Sequence, residues 1–103
     1  MRRPPTPDLS HYLVEWYRSD VTGELLEQAA HTIGRSIDEM TAEGTVIDLL
    51  LTVFVPGDEV GFCLFAAGSP ASVEQACRRA GLTFDRIMPC LTPAGDRTRT
   101  RTP

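Results

Sequence analysis

The sequence contains no run of about 20 apolar residues, which is the length that a membrane-spanning helix requires. Its first three residues, Met-Arg-Arg, are followed by three prolines within the next four positions rather than by the apolar core of a signal peptide. We therefore expect no contact with a membrane and a cytoplasmic location.

Cysteine is scarce and has no motif spacing. Cys63, Cys77 and Cys90 are an odd number without a CxxC pair, which argues against a disulfide framework and a zinc knuckle. The sequence also lacks a nucleophile elbow, a phosphate-binding glycine loop and an HExxH motif. The strongest sequence signatures of an enzyme are therefore missing.

Lysine is absent, and the arginines are unevenly placed. Residues 9–91 hold five Arg against twelve Asp and Glu, while the other five Arg lie near the two ends. An acidic body repels phosphate backbones, and the basic ends offer no aromatic residue for base stacking. We expect no nucleic-acid partner.

The clearest structural signal is an apolar hairpin at residues 46–67. Two runs rich in Val, Leu, Ile and Phe flank a Pro-Gly-Asp-Glu turn at positions 56–59. In the first run the odd positions from Ile47 to Val55 are all apolar, so we expect this face to meet the helices. The even positions include Asp48, Thr52 and Phe54 and predict a mixed second face.

A strand and a helix flank this hairpin on each side in the sequence. Apolar alternation predicts the strands, and apolar residues at three- and four-residue spacing predict the helices. The predicted elements are a strand at Ser10–Tyr17, a helix from the N-cap Thr22 to Gly44, a helix from Ser69 to Gly81, and a strand at residues 83–88 that Pro89 ends.

The order strand, helix, strand, strand, helix, strand predicts an α+β fold of the ferredoxin-like type. Its four-stranded antiparallel sheet carries both helices on one face. We expect this domain at residues 10–91, a disordered lead-in at 1–9 and a disordered basic tail at 92–103. Pairing of two open sheet faces would give a homodimer of the dimeric α/β barrel type.

Three polar residues are candidates for acid–base catalysis on the open face. His11 and Glu15 fall on the same side of the first strand, and Asp48 follows on the hairpin. A carboxylate can hold an imidazole in one tautomer, and an imidazole titrates near neutral pH. The alternative is that these side chains face water or a dimer contact.

Aromatic residues suggest a ligand pocket. Tyr12, Trp16, Tyr17 and Phe54, together with Thr52, are of the type that lines an apolar binding cavity. They are equally suited to the core or to a subunit interface.

Three segments carry a resemblance to a known family. These are Tyr-Leu-Val-Glu at 12–15, VFVPGDEVGFCLFAA at 53–67 and RRAGLTFDRI at 78–87. Together they resemble a bacterial and actinobacterial family of unknown function that includes nickel-responsive, nickel-binding proteins. The resemblance implies a ferredoxin-like dimer and, as cofactor, nickel or another divalent transition metal.

The resemblance also implies metal ligands. The metal-binding branch carries His after the first strand, in the first helix and twice near the end of the second helix. Here Tyr17, Cys77 and Gly81 stand at three of these positions, and His31 matches the fourth. His31 and Cys77 are thus the candidate metal ligands; otherwise His31 lies on a solvated helix face and Cys77 in the core.

Three functions follow as hypotheses. The first is a small dimeric protein that binds a metal ion or a small ligand. The second is a cofactor-independent enzyme that acts on an apolar organic substrate in the cavity of the open face, with His11 or Glu15 as acid or base. The third is a non-catalytic dimer that recruits a partner through its surface or its basic tail.

Overall fold

The structure is a computed structural model that describes residues 9–93. The predictions for the lead-in at residues 1–8 and for the tail at residues 94–103 lie outside the described residues. Within the described part, no helix is both long enough and apolar enough to cross a membrane.

Four strands form one sheet in the order β2-β3-β1-β4, and every neighbouring pair is antiparallel. Both helices pack on the same face of this sheet, which confirms the predicted ferredoxin-like α+β fold. The elements are β1 (Ser10–Tyr17), α1 (Gly23–Ala42), β2 (Ile47–Val55), β3 (Val60–Ala67), α2 (Pro70–Arg79) and β4 (Arg86–Cys90).

Both helices begin at the residues that the sequence predicts. The Thr22 hydroxyl accepts a hydrogen bond from the Leu25 amide at 3.1 Å, and the Ser69 hydroxyl accepts one from the Ser72 amide at 3.2 Å. Pro70 occupies the first turn of α2, where a backbone N–H has no partner within the helix. The missing N–H of proline therefore costs no hydrogen bond there. Each capping hydroxyl accepts a hydrogen bond from a first-turn amide that has no carbonyl partner within the helix.

The core lies between the sheet and the two helices. Side chains at every second position of β1 and β3 meet the apolar stripes of α1 and α2, as the alternation predicts. Its fully buried members include Val14, Ile33, Met40, Cys63, Phe65, Val73 and Cys77.

A β-bulge in β2 overturns one prediction about this core. Leu49 pairs with Phe65 but Leu51 pairs with Leu64, so Leu50 is an extra residue on the bulged strand. The odd positions therefore meet the helices only up to Leu49. From Leu51 onward they face away from the helices, because one inserted residue exchanges the two faces of the strand.

The last strand also differs from its prediction. It begins at Arg86 rather than at residue 83, and Pro89 lies inside it opposite Tyr12 instead of ending it. Residues 83–85 form a connection whose Phe84 packs against the core. Pro89 is tolerated because β4 is an edge strand, where one side of the backbone needs no hydrogen bond.

Trp16 of β1 packs against the turn end of the hairpin formed by β2 and β3. Its ring stacks on Phe54, with 5.5 Å between the ring centroids and 19° between the planes. It also covers Gly61, where a side chain would collide with the indole ring. Trp16 is thereby held within the core at the helix side of the sheet.

Candidate functional site

The sheet face away from the helices, here called the open face, is largely apolar. The bulge adds Leu51, Val53 and Val55 to it, and these side chains remain 54%, 37% and 40% exposed. Pairing across the strands places them beside apolar residues of β3, β1 and β4. The apolar members of the open face include Leu13, Leu51, Val53, Val55, Val60, Phe62, Leu64 and Met88.

A shallow cleft of about 290 Å³ lies in the middle of the open face. Its lining consists of Leu13, Leu51, Val53, Phe62 and Leu64, so almost all of its surface is apolar. The volume lies near the lower end of the range for small-molecule sites. The cleft is suited to a hydrocarbon or aromatic group rather than to a polar one.

A polar corner, formed by Glu15, Tyr17 and Arg86, borders this apolar area. Arg86 Nε donates a hydrogen bond to Glu15 Oε1, and the Tyr17 hydroxyl donates one to Glu15 Oε2 at 2.8 Å. The Glu15 side chain is only 10% exposed, whereas that of Arg86 is 63% exposed. One nearly buried carboxylate thus holds two neighbouring side chains in place.

The charges of the polar corner are fixed by these hydrogen bonds. The bond from Arg86, and then that from Tyr17, lowers the pKa of Glu15, although burial acts in the opposite direction. The same contacts raise the pKa of Tyr17 and of Arg86. At neutral pH the corner therefore holds a carboxylate, a neutral phenol and a guanidinium ion.

The three candidate catalytic residues do not come together. His11 lies four residues from Glu15 along β1, which is about 13 Å at the usual rise of a strand. Asp48 and His11 are separated by Ala66 of β3, so they lie about 10 Å apart. His11 instead has the Thr92 hydroxyl 3.3 Å from its Nδ1. An acid–base role for these residues stays a prediction.

Of the five predicted ligand-binding residues, Tyr17 lies on the open face. Tyr12 and Trp16 are buried in the core, and the bulge turns Thr52 and Phe54 toward the helices as well. Trp16 Nε1 and Thr52 Oγ1 are buried without a hydrogen-bond partner among residues 9–93. These four side chains therefore cannot line a pocket on the open face.

The two candidate metal ligands also lie in unlike surroundings. His31 is exposed on α1 beside Glu27, while Cys77 is fully buried in α2. Burial, with smaller effects of Cys63 and Glu74, raises the pKa of the Cys77 thiol to about 12. A protonated thiol is a poor ligand, because metals bind the thiolate.

No group of three or more His, Cys, Asp or Glu side chains within the described residues is arranged to hold a metal ion. The donors among residues 9–93 of a single chain thus do not fit a nickel site, since nickel needs several imidazole, thiolate or carboxylate ligands. Nickel binding stays a prediction from the resemblance.

Fold and site define the protein as a ferredoxin-like α+β domain with an apolar open sheet face and an ion-paired polar corner. A crystal structure of SCO4226 from Streptomyces coelicolor A3(2) is similar to it, with a TM-score of 0.63 and 20% sequence identity. The match covers 76% of this chain and 91% of that chain, and it supports the fold. No protein-family model and no curated protein matches the sequence.

Sequence reasoning missed Arg86 and its pairing with Glu15 across β1 and β4. The neighbouring Asp85 accepts a hydrogen bond from the Tyr17 amide at 3.0 Å. The ferredoxin-like order places the last strand beside the first, so the fold itself predicts that Glu15 faces a residue of this strand. The strand was predicted to begin at residue 83, three residues too early, so the residue opposite Glu15 could not be assigned.

Proposed function

We propose that this protein is a homodimer that binds a small, largely apolar organic ligand between the open faces of its two sheets. The apolar open face carries this proposal. Its strands have eight, nine, eight and five residues, and the sheet spans roughly 470 Å² in projection, part of which is polar. An apolar patch of a few hundred Å² is about the size of the largest patch on a typical monomer, and such a patch is often a functional surface.

The cleft supports a ligand in addition to a second subunit. Packed sheets lie about 10 Å apart, a distance that side chains of both faces normally fill. Two shallow clefts that face each other leave part of this space empty, and an apolar cavity of that kind is filled by an apolar molecule. Leu51 and Val53 are half-exposed at this position in the single chain.

The subunit contact is tested by a matched pair of substitutions. Leu51→Asp places a charge on the open face, whereas Leu25→Asp places the same charge on α1, at a leucine that is 41% exposed. We expect sedimentation equilibrium to show a dimer for the wild type and Leu25→Asp, and a folded monomer for Leu51→Asp. A wild-type monomer at high micromolar concentration, or an unchanged dimer of Leu51→Asp, would refute the proposed dimer.

The ligand is tested with the full-length wild-type protein and 1-octanol as a neutral probe. We expect octanol to shift the NMR methyl signals of Leu51, Val53 and Leu64 and to leave those of Val73, in the core, unchanged. Native mass spectrometry of the purified protein supplies a second readout through co-purified organic mass. A protein that ignores octanol but takes up nickel in a fixed ratio, and loses it in His31→Ala, would replace this proposal with the metal-binding function.

A further inference from the structure

We infer that the ligand is an amphipathic monoanion, an organic carboxylate whose charged group binds to Arg86 and whose apolar body fills the cleft. The inference rests on the proposed ligand-binding function and adds its chemical class. It derives from the polar corner, because this corner lies on the same sheet face as the cleft and one strand away from Phe62.

Arg86 offers hydrogen-bond donors that the described part of the chain does not use. Its Nε donates to Glu15, and within residues 9–93 the four hydrogens of the two Nη atoms have no acceptor. With 63% of its side chain exposed, the guanidinium presents these hydrogens to a molecule on the open face. A planar fork of this kind matches the two oxygens of a carboxylate.

Glu15 and Tyr17 are positioning residues for this fork. Both oxygens of the Glu15 carboxylate are engaged, one by Arg86 and one by Tyr17, so the guanidinium is held before a ligand arrives. Such preorganisation reduces the entropy that binding costs. The Tyr17 hydroxyl donates its hydrogen bond to Glu15, and its oxygen can still accept a hydrogen bond from a hydroxyl or amide of the ligand.

The surrounding charges disfavour a dianion. Glu15 and Asp85 place two carboxylates near Arg86, and Asp85 is fixed at the Tyr17 amide. A dianionic phosphate would meet stronger repulsion from these groups than a carboxylate does. Leu13 and Met88 form the next row of the face, so an apolar body attached to the carboxylate passes directly from the corner to the cleft.

The test compares octanoate, 1-octanol and octylammonium on the wild-type protein by calorimetry at pH 7. All three share the same apolar chain and differ in the charge of the head group. We expect octanoate to bind at least tenfold more tightly than octanol, and octylammonium to bind no better than octanol. In Arg86→Gln the preference for octanoate falls below threefold while the octanol affinity is retained.

Two further variants separate recognition from folding. Arg86→Lys keeps a positive charge beside Glu15 but lacks the fork, and we expect an intermediate preference. Arg35→Gln, on the exposed side of α1, removes an arginine far from the open face and should leave the preference intact. Circular dichroism checks that each variant is folded.

Equal affinity of octanoate and octanol in the wild type overturns the inference and leaves the proposed function standing. An octanoate preference that survives in folded Arg86→Gln overturns it too. If none of the three probes binds, the proposed ligand-binding function fails and the inference fails with it.

Discussion

At the scale of single residues, the indole ring of Trp16 fills the space in which a side chain at Gly61 would lie. A Cβ built on Gly61 would lie 2.1 Å from Trp16 Cζ2, and that ring is 4% exposed and stacked on Phe54. We expect Gly61→Ala to lower the free energy of unfolding by about 1–3 kcal/mol, the usual cost of overpacking. Urea denaturation followed by tryptophan fluorescence measures this change.

Gly68→Ala is the matched control for this prediction. No atom lies within 4 Å of a Cβ at Gly68, so we expect a change of at most about 0.5 kcal/mol. Similar losses in both variants would show that the Trp16 contact is not the cause.

The Glu15 contacts predict how stability depends on pH. Because its pKa in the folded protein lies below the usual 4.5, the carboxylate stabilises the fold at any pH above that value. This contribution is lost as the pH falls through the lower, folded pKa. We expect Glu15→Gln to be less stable than the wild type at pH 7, and the difference to shrink as the pH drops below about 4.5.

Urea denaturation at a series of pH values checks this prediction, with Glu27→Gln, on the exposed side of α1, as the control. The control should show no such convergence with the wild type. A constant difference between wild type and Glu15→Gln across the acidic range would contradict the ionised pair with Arg86.

At the scale of elements, the N-cap of α1 gives a direct prediction. The Thr22 hydroxyl satisfies the Leu25 amide, which has no partner within the helix. We expect Thr22→Ala to cost about 1 kcal/mol of unfolding free energy and Thr22→Ser, which keeps the hydroxyl, to cost much less. Thermal or urea unfolding followed by far-UV circular dichroism distinguishes the two, and equal losses would assign the effect to the methyl group instead.

The bulge in β2 gives a second prediction at this scale. Leu49 packs against the core, whereas Leu51, two positions on, lies on the open face. We expect Leu49→Asp to prevent folding, because an unpaired carboxylate would be buried, and Leu51→Asp to fold. Far-UV circular dichroism of the two proteins is the measurement. Loss of structure in both variants would contradict the bulge and support the regular alternation, in which both residues face the helices.

Leu49 and Leu51 also show how much of the fold could be predicted from the sequence. Apolar spacing and caps predicted β1, both helices and the hairpin, because these signals are local and Thr22, Ser69 and the turn at 56–59 determine them chemically. The sequence contains no such local signal for the bulge. Leu50 lies in a continuous apolar run, where an alternation that continues and one that shifts by one residue fit equally well. Its position depends on pairing with Phe65 and Leu64, which is tertiary information.

The candidate site was harder to predict for the same reason. Glu15 was identified from the alternation in β1 and Tyr17 as an aromatic candidate for a ligand pocket, but Arg86 becomes their partner only through the register of β4. Thr52 and Phe54 were placed on the open face, and the bulge turned them into the core. An error of one residue in a strand therefore removes aromatic residues from the expected pocket and replaces them with Leu51 and Val53.

At the scale of the whole molecule, the two faces of the sheet differ in how they are covered. The helices of the same chain bury one face, whereas in the proposed dimer a second subunit would bury Leu51, Val53 and their neighbours on the open face. If folding and pairing are coupled in this way, stability follows mass action. We expect the unfolding temperature of the wild type to rise with protein concentration and to rise further with octanoate.

Leu51→Asp makes this last prediction specific. As a folded monomer with a charge in the cleft, it should unfold at a temperature that is independent of its concentration and of octanoate. Scanning calorimetry over a wide range of protein concentration measures both dependences. A wild-type transition that is equally insensitive to concentration would mean that the open face is stable in water without a partner subunit, in spite of its apolar surface.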